Sequence, residues 1–258
     1  MRPLRRLFIT GASSGIGQAL AEHYAQQGAQ LGLCARRTEP LQKLAERWPG
    51  QVSCYPLDVT DASALRAAAA DFIARLGDPD IVIANAGISV GTLTEHAEDL
   101  DAIRRVMDTN FFGMAATFSP FVGGMRRAGR GRLVGIASVA GIRGLPGSEA
   151  YSASKAAVIS YLESLRVELR ASGVRVITIC PGYISTPMTE VNPFPMPFLM
   201  PADTAARRFA RAIDKGRSYV VIPWQMGVAA RLLRLLPNAV YDRLMAAAPR
   251  KPRQRLRE

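Results

Sequence analysis

Along most of this chain, short apolar runs alternate with longer stretches in which apolar positions recur every three or four residues. Residues 4–10, 30–35, 52–57, 81–84, 133–137, 174–180 and 219–223 are the short runs, several of them rich in Val and Ile. At 4–8 residues they suit strands better than helices. Between them, 18–27, 41–48, 62–76, 99–126, 149–172 and 203–215 carry the helical spacing. A continuous apolar run such as Ile81-Val82-Ile83-Ala84 fits a parallel strand buried on both faces, and strand–helix alternation predicts an α/β fold built on one doubly wound parallel sheet with helices on both sides.

The pattern changes after Thr186. Residues 188–201 place Pro193, Pro195, Pro197 and Pro201 among Phe and Met, too dense in proline for a regular helix. Residues 226–236 set Ala229, Leu232, Leu233, Leu235 and Leu236 against Arg231 and Arg234, and 240–248 extend this amphipathic pattern. The expected organisation is a main unit at 1–223, with an irregular cover at about 187–201, and an amphipathic helical extension with a basic tail at 224–258.

Composition narrows the function classes. With 258 residues, 48% of them hydrophobic, the chain can bury one sizeable core. Cys34, Cys54 and Cys180 show no metal-ligand spacing and His23 lies far from His96, so no metal site is expected and reduced thiols in a cytoplasmic setting fit best. The apolar run after the first arginines stops at Thr10-Gly11, too short for a secretory signal, and no run is long enough to span a bilayer. Net charge is +12, and residues 231–258 contribute half of it, with eight basic residues against Asp242 and Glu258. Such a tail either keeps the protein soluble or meets anionic partners such as lipid headgroups.

The chemistry begins where the first strand ends. Thr10-Gly11-Ala12-Ser13-Ser14-Gly15-Ile16-Gly17 is a glycine turn between a strand and a helix, an arrangement that aims free backbone N–H groups and the positive end of a helix dipole at a pyrophosphate. That is a Rossmann-type dinucleotide site. The second strand ends Ala35-Arg36-Arg37, with no carboxylate to bind a ribose 2′-hydroxyl and two guanidiniums to bind a 2′-phosphate, so NADP(H) is the expected cofactor. Ser138 follows the strand at 133–137, on the side where such sheets bind ligands. In the next helix Tyr151 and Lys155 stand four apart on one face. A phenol titrates near ~10, and a neighbouring ammonium would shift it toward neutrality, where it could act as acid or base. Asn110, between Met107 and Phe111-Phe112, is either a hydrogen-bonded core residue or part of the site.

These landmarks, in this order, resemble the short-chain dehydrogenase/reductase family: the turn at 10–17, Asp58, Asn85-Ala86-Gly87, Asn110, Ser138 with Tyr151 and Lys155, and Pro181-Gly182 with Thr186. The resemblance covers residues 4–186. It implies that Gly11, Ser13, Ser14, Gly15 and Ile16 surround the pyrophosphate, that Asp58 and Val59 meet the adenine, and that Asn85, Ala86 and Gly87 lie beside the cofactor. Pro181, Gly182, Ile184 and Thr186 would contact the nicotinamide end. Tyr151 would be the general acid for ketone reduction, Ser138 would hydrogen-bond the carbonyl oxygen, and Lys155 would hold ribose hydroxyls and depress the pKa of Tyr151. Asn110 would hold a water that links Lys155 to solvent.

The expected activity is therefore hydride transfer between NADP(H) and a small-molecule carbonyl or secondary alcohol. The apolar cover at 187–201 points to an apolar or lipid-like ketone. The family's subunits commonly associate, so a homo-oligomer is expected; nucleic acid is not. Residues 226–258 read either as a membrane-surface helix, making the protein peripheral, or as a helix that covers the substrate pocket or a subunit contact. The competing reading is an NADPH-binding regulatory or interaction protein, against which the intact Ser138, Tyr151 and Lys155 speak.

Overall fold

The computed structural model describes residues 5–253. Seven strands pair in parallel in the order β3-β2-β1-β4-β5-β6-β9, with β1 at Arg6–Thr10, β2 at Gln30–Ala35, β3 at Val52–Pro56, β4 at Ile81–Ala84, β5 at Gly131–Ile136, β6 at Val174–Pro181 and β9 at Tyr219–Ile222. The expected doubly wound α/β fold is what forms. Because side chains alternate along a strand, each strand feeds two cores. Leu7 and Ile9 of β1 join Ile81, Ile83, Ile177 and Ile179 on one face, under α1 (Gly15–Ala25), α2 (Thr38–Arg47) and α8 (Ala202–Asp214). Phe8, Val82, Leu133 and Val176 face the other way, under α3 (Ala62–Leu76), α5 (Gly113–Ala128) and α6 (Glu149–Glu168).

Three expected elements take a different form. The helix expected at 99–126 is broken: α4 (Asp99–Met107) passes through a π-turn at Asp108–Phe112 before α5 begins. The wide turn carries Asn110 inward, where it is fully buried and its amide finds polar partners. The helix expected to run to 172 ends at Glu168, followed by a 3-10 turn over Arg170–Ser172 and Gly173 in the left-handed conformation. In the proline-rich cover, β7 (Ile184–Ser185) pairs with β8 (Met200–Pro201), and one helical turn, α7 (Pro187–Glu190), forms ahead of Pro193 because a proline fits the first position of a helix.

The extension consists of α9 (Trp224–Leu235) and α10 (Asn238–Met245). Arg143, in the loop before α6, holds it. Its guanidinium donates to the carbonyls of Leu233, Arg234 and Leu236 and to Asn238 Oδ1, and lies 3.8 Å over the Tyr241 ring. Tyr241 returns a hydrogen bond to the Gly144 carbonyl. An arginine at a helix C-terminus both pairs orphan carbonyls and meets the negative end of the dipole.

Candidate active site

All the loops that leave the carboxyl ends of the central strands converge on one cleft of about 440 Å³. Every cofactor and catalytic residue expected from the sequence lines it, from Gly11 in the glycine turn to Thr186 after β6, with the exception of Asn110. Its floor is set by close backbone approach. Gly11 has φ +68°, and a Cβ there would lie 2.8 Å from both Ala86 Cα and Asn85 Nδ2. Asn85 closes that contact: its Nδ2 donates to the carbonyls of Thr10 and Gly11 at 3.1 Å, and its backbone N–H donates to Thr10 Oγ1 at 3.2 Å. This locks the end of β4 to the end of β1.

The N-terminus of α1 opens into the cleft without a side-chain cap and without an acidic residue in its first turn. Its backbone donors and dipole are thus available for an anion, which is the fit a dinucleotide pyrophosphate requires. At the far end stand the two arginines. Arg37 bends over the glycine turn, donating to Ser14 Oγ at 2.8 Å and Ser13 Oγ at 3.2 Å. Arg36 lies 3.8 Å from Asp58, whose carboxylate also accepts from Thr60, and both charges are solvent-exposed. The residues present therefore suit a dinucleotide along the whole length of the crevice.

At the inner end, Ser138 leaves β5, and its hydroxyl accepts from the Ala140 N–H at 3.1 Å. The Ser138 hydroxyl stands beside Tyr151 and acts on the titration of its phenol. Lys155, 3% exposed, donates from Nζ to the Ile136 carbonyl at 2.8 Å and stands 5.7 Å from the centre of the Tyr151 ring. The electrostatics correct one expectation. Burial pushes the Tyr151 phenol above its ordinary value, and the Ser138 side chain acts in the opposite direction. Lys155 is itself out of water, and burial lowers its ammonium to about 8.

Asn110 lies beneath the cleft. Its Oδ1 accepts from the Ile88 N–H at 2.8 Å, and its Nδ2 donates to the Ile88 carbonyl at 3.0 Å and to Ser154 Oγ at 2.9 Å. Ser154 in turn donates to the Tyr151 carbonyl at 2.8 Å. One amide thus ties the loop after β4 to the helix that carries Tyr151 and Lys155. Gly87 keeps the space open, for a Cβ there would stand 3.1 Å from Asn110 Oδ1 and 3.6 Å from Lys155 Nζ.

Two further residues pack against this group, Ser154 and Cys180. Ser154 sits inside the stretch from Tyr151 to Lys155, and its spacing from Tyr151 was the available signal. Cys180, buried behind Lys155 with its thiol raised to about 11 by burial and its Sγ donating to Tyr219 Oη at 3.4 Å, carried no signal in sequence. Among the described residues no group of three His, Cys, Asp or Glu could hold a metal.

The profile of the short chain dehydrogenase family matches residues 5–193. An uncharacterized oxidoreductase of Myxococcus xanthus is 42% identical over 241 residues, covering 92% of this chain and 95% of that protein. The crystal structure of a short-chain dehydrogenase from Streptomyces avermitilis superposes with a TM-score of 0.82 at 28% identity, over 94% of this chain and 96% of that one. A short chain dehydrogenase from Burkholderia cenocepacia J2315, solved in complex with NADP, gives a TM-score of 0.81 at 28% identity over 94% and 98%.

Proposed function

The chain belongs to the short-chain dehydrogenase/reductase family and is an oxidoreductase acting on C–OH and C=O groups, and from that premise we propose that it is an NADP(H)-dependent reductase of apolar or lipid-like ketones. The observation that carries this reading is the half-buried Tyr151, set in one cleft with Ser138 and Lys155. A phenol raised above its ordinary value stays protonated at neutral pH, so it is loaded as an acid. The alkoxide that develops on a ketone during reduction is far more basic than a phenolate, so proton donation still runs downhill.

The cofactor, when bound, supplies the hydride. Gly11, Ser13, Ser14, Gly15 and Ile16 would hold its pyrophosphate at the α1 N-terminus, Asp58 and Val59 would meet the adenine, and Lys155 would hold ribose hydroxyls. Ser138 donates to the carbonyl oxygen as negative charge builds there, Tyr151 delivers the proton to that atom, and Asn110 keeps the Ile88 loop and α6 in register beneath them. Preference for the 2′-phosphate is supported by Arg36 and Arg37 at the cleft's outer end and by the NADP bound to the Burkholderia cenocepacia protein. In this reading residues 1–223 form the catalytic unit and 224–258 its extension.

An apolar substrate is supported by the exposed Met188, Val191, Phe198 and Leu199 of the cover. No described helix is long and apolar enough to cross a membrane. Peripheral contact through α9 and α10 is supported by a stripe of exposed apolar side chains, Trp224 (68%), Val228, Leu232 and Leu235 (80%), continued by Val240 and Leu244 and flanked by Arg231, Arg234 and Arg243. Flotation with anionic vesicles measures this contact, and light scattering behind a sizing column measures the expected homo-oligomer. The function itself is tested by following NADPH absorbance with ketones graded in size and polarity. Tyr151→Phe should abolish turnover while NADPH still binds; turnover that persists removes the assignment of the acid.

A further inference from the structure

After α10 the chain doubles back as a strap over the loop that follows β4. Pro252 accepts a hydrogen bond from the Gly91 N–H at 3.3 Å, and Arg253 bridges Gly91 in parallel register. Gly91 admits this passage, since a side chain there would strike the Lys251 carbonyl. Arg253 pins the strap: its guanidinium grips both oxygens of Asp99 at 2.9 and 3.0 Å and Glu98 at 3.1 Å.

Between these anchors Lys251 turns inward. Its Nζ donates to Ser89 Oγ at 3.0 Å on one side and to the Met188 carbonyl at 3.4 Å on the other. Ile88, next to Ser89, and Met188 both line the cleft, so the ammonium stands at the cleft's rim, between the loop after β4 and the first turn of the cover. Among the described residues it has no carboxylate partner. Glu98 and Asp99 are taken by Arg253, and Glu149 accepts from Thr92. Burial lowers its pKa to about 8. An ammonium drawn partly out of water against two neutral acceptors is under-compensated, and an incoming anion would supply what it lacks.

We propose that Lys251 is a specificity-determining residue that binds an anionic group carried by the carbonyl substrate, so that the preferred substrate is an amphiphile with a carboxylate or similar anion near the ketone. The inference rests on the reading of the cleft as a carbonyl site and narrows it. It adds a charge requirement to the apolar chain that the cover favours.

The test compares the purified wild type with Lys251→Met and Lys251→Arg, using NADPH and a series of oxo-decanoates that differ in ketone position, each against its methyl ester. The wild type should favour the acid for at least one ketone position. Lys251→Met should lower kcat/KM for that acid roughly 10- to 100-fold more than for its ester, through KM, and Lys251→Arg should retain most of the preference. Equal loss for acid and ester, or a wild type without acid preference, overturns the proposal and leaves the strap as a closure only. Calorimetric titration of the NADPH-loaded protein with decanoate and with methyl decanoate reads the same contact without turnover. If no ketone is reduced, the reductase reading fails by itself, while weaker decanoate binding by Lys251→Met still supports the anion contact and unchanged binding removes it.

Discussion

Lys155→Met should make this protein more stable and inactive at once. Lys155 is almost wholly buried and its ammonium falls from an ordinary 10.5 to about 8, with burial as the leading cause. At 1.36 kcal/mol for each pKa unit, that difference of 2.5 represents about 3 kcal/mol by which folding disfavours the charged form. Met has a similar shape and no charge. It removes this penalty but leaves the Ile136 carbonyl without its donor, which costs about 1–3 kcal/mol. The net expectation at pH 7 is a gain of about 1 kcal/mol, or a rise in Tm of about 2–4 °C for a chain of this size.

The pH dependence separates this account from a generic packing effect. A base whose folded pKa is lowered carries its full penalty below about 8. The penalty shrinks as pH rises from about 8 to 10.5 and vanishes above, when folded and unfolded states are both neutral at this position. The stability advantage of Lys155→Met should therefore be greatest at pH 7 and fade or reverse by pH 10. Thermal melts of both proteins at several pH values, without cofactor, measure it. A variant less stable than the wild type at every pH, with a gap that does not move, would refute the desolvation argument.

Three other perturbations follow from the geometry. Arg36→Asp should reduce the ratio of NADPH to NADH affinity about 10- to 100-fold, the equivalent of one charge-assisted hydrogen bond, as read by fluorescence titration; a constant ratio removes the 2′-phosphate assignment. Asn110→Ala strands the Ile88 N–H and the Ile88 carbonyl, and should destabilise the fold by about 2–4 kcal/mol in urea melts while also slowing turnover. Arg143→Ala should loosen α9 and α10 selectively, seen as faster amide exchange over 224–245 with the sheet unchanged.

Strand and helix positions were legible wherever burial was uniform. β2, β4 and α3 fall on the expected residues because an apolar run enclosed on both faces, or a helix capped by Asp61 and closed at Gly77, leaves little choice of register. The break at Asn110 was not legible, since Met107, Phe111 and Phe112 preserve the apolar period on either side and the reason for the π-turn lies at Ile88, more than twenty positions away in sequence. The same limit hid the strap. Arg253 finds Asp99 across 154 positions, so a tail that reads as surplus positive charge is partly neutralised against the body. The gathering of Gly11, Ser138, Tyr151 and Lys155 was readable because strand order delivers their loops to one rim. The sign of the Tyr151 shift was not, because it depends on how thoroughly water is excluded from both groups.

A sheet whose strands all run the same way has a second rim, and here that rim has another use. The connections that enter the strands turn through residues such as Gly28 and Gly50, whose φ of +80° and +76° keeps them glycine while the space beside them stays open. Open space at the pole opposite the reaction makes these turns the natural points for tethering the enzyme to a solid support or splicing in a reporter peptide. Immobilised there, the protein would present its working face outward, free to meet substrate from solution.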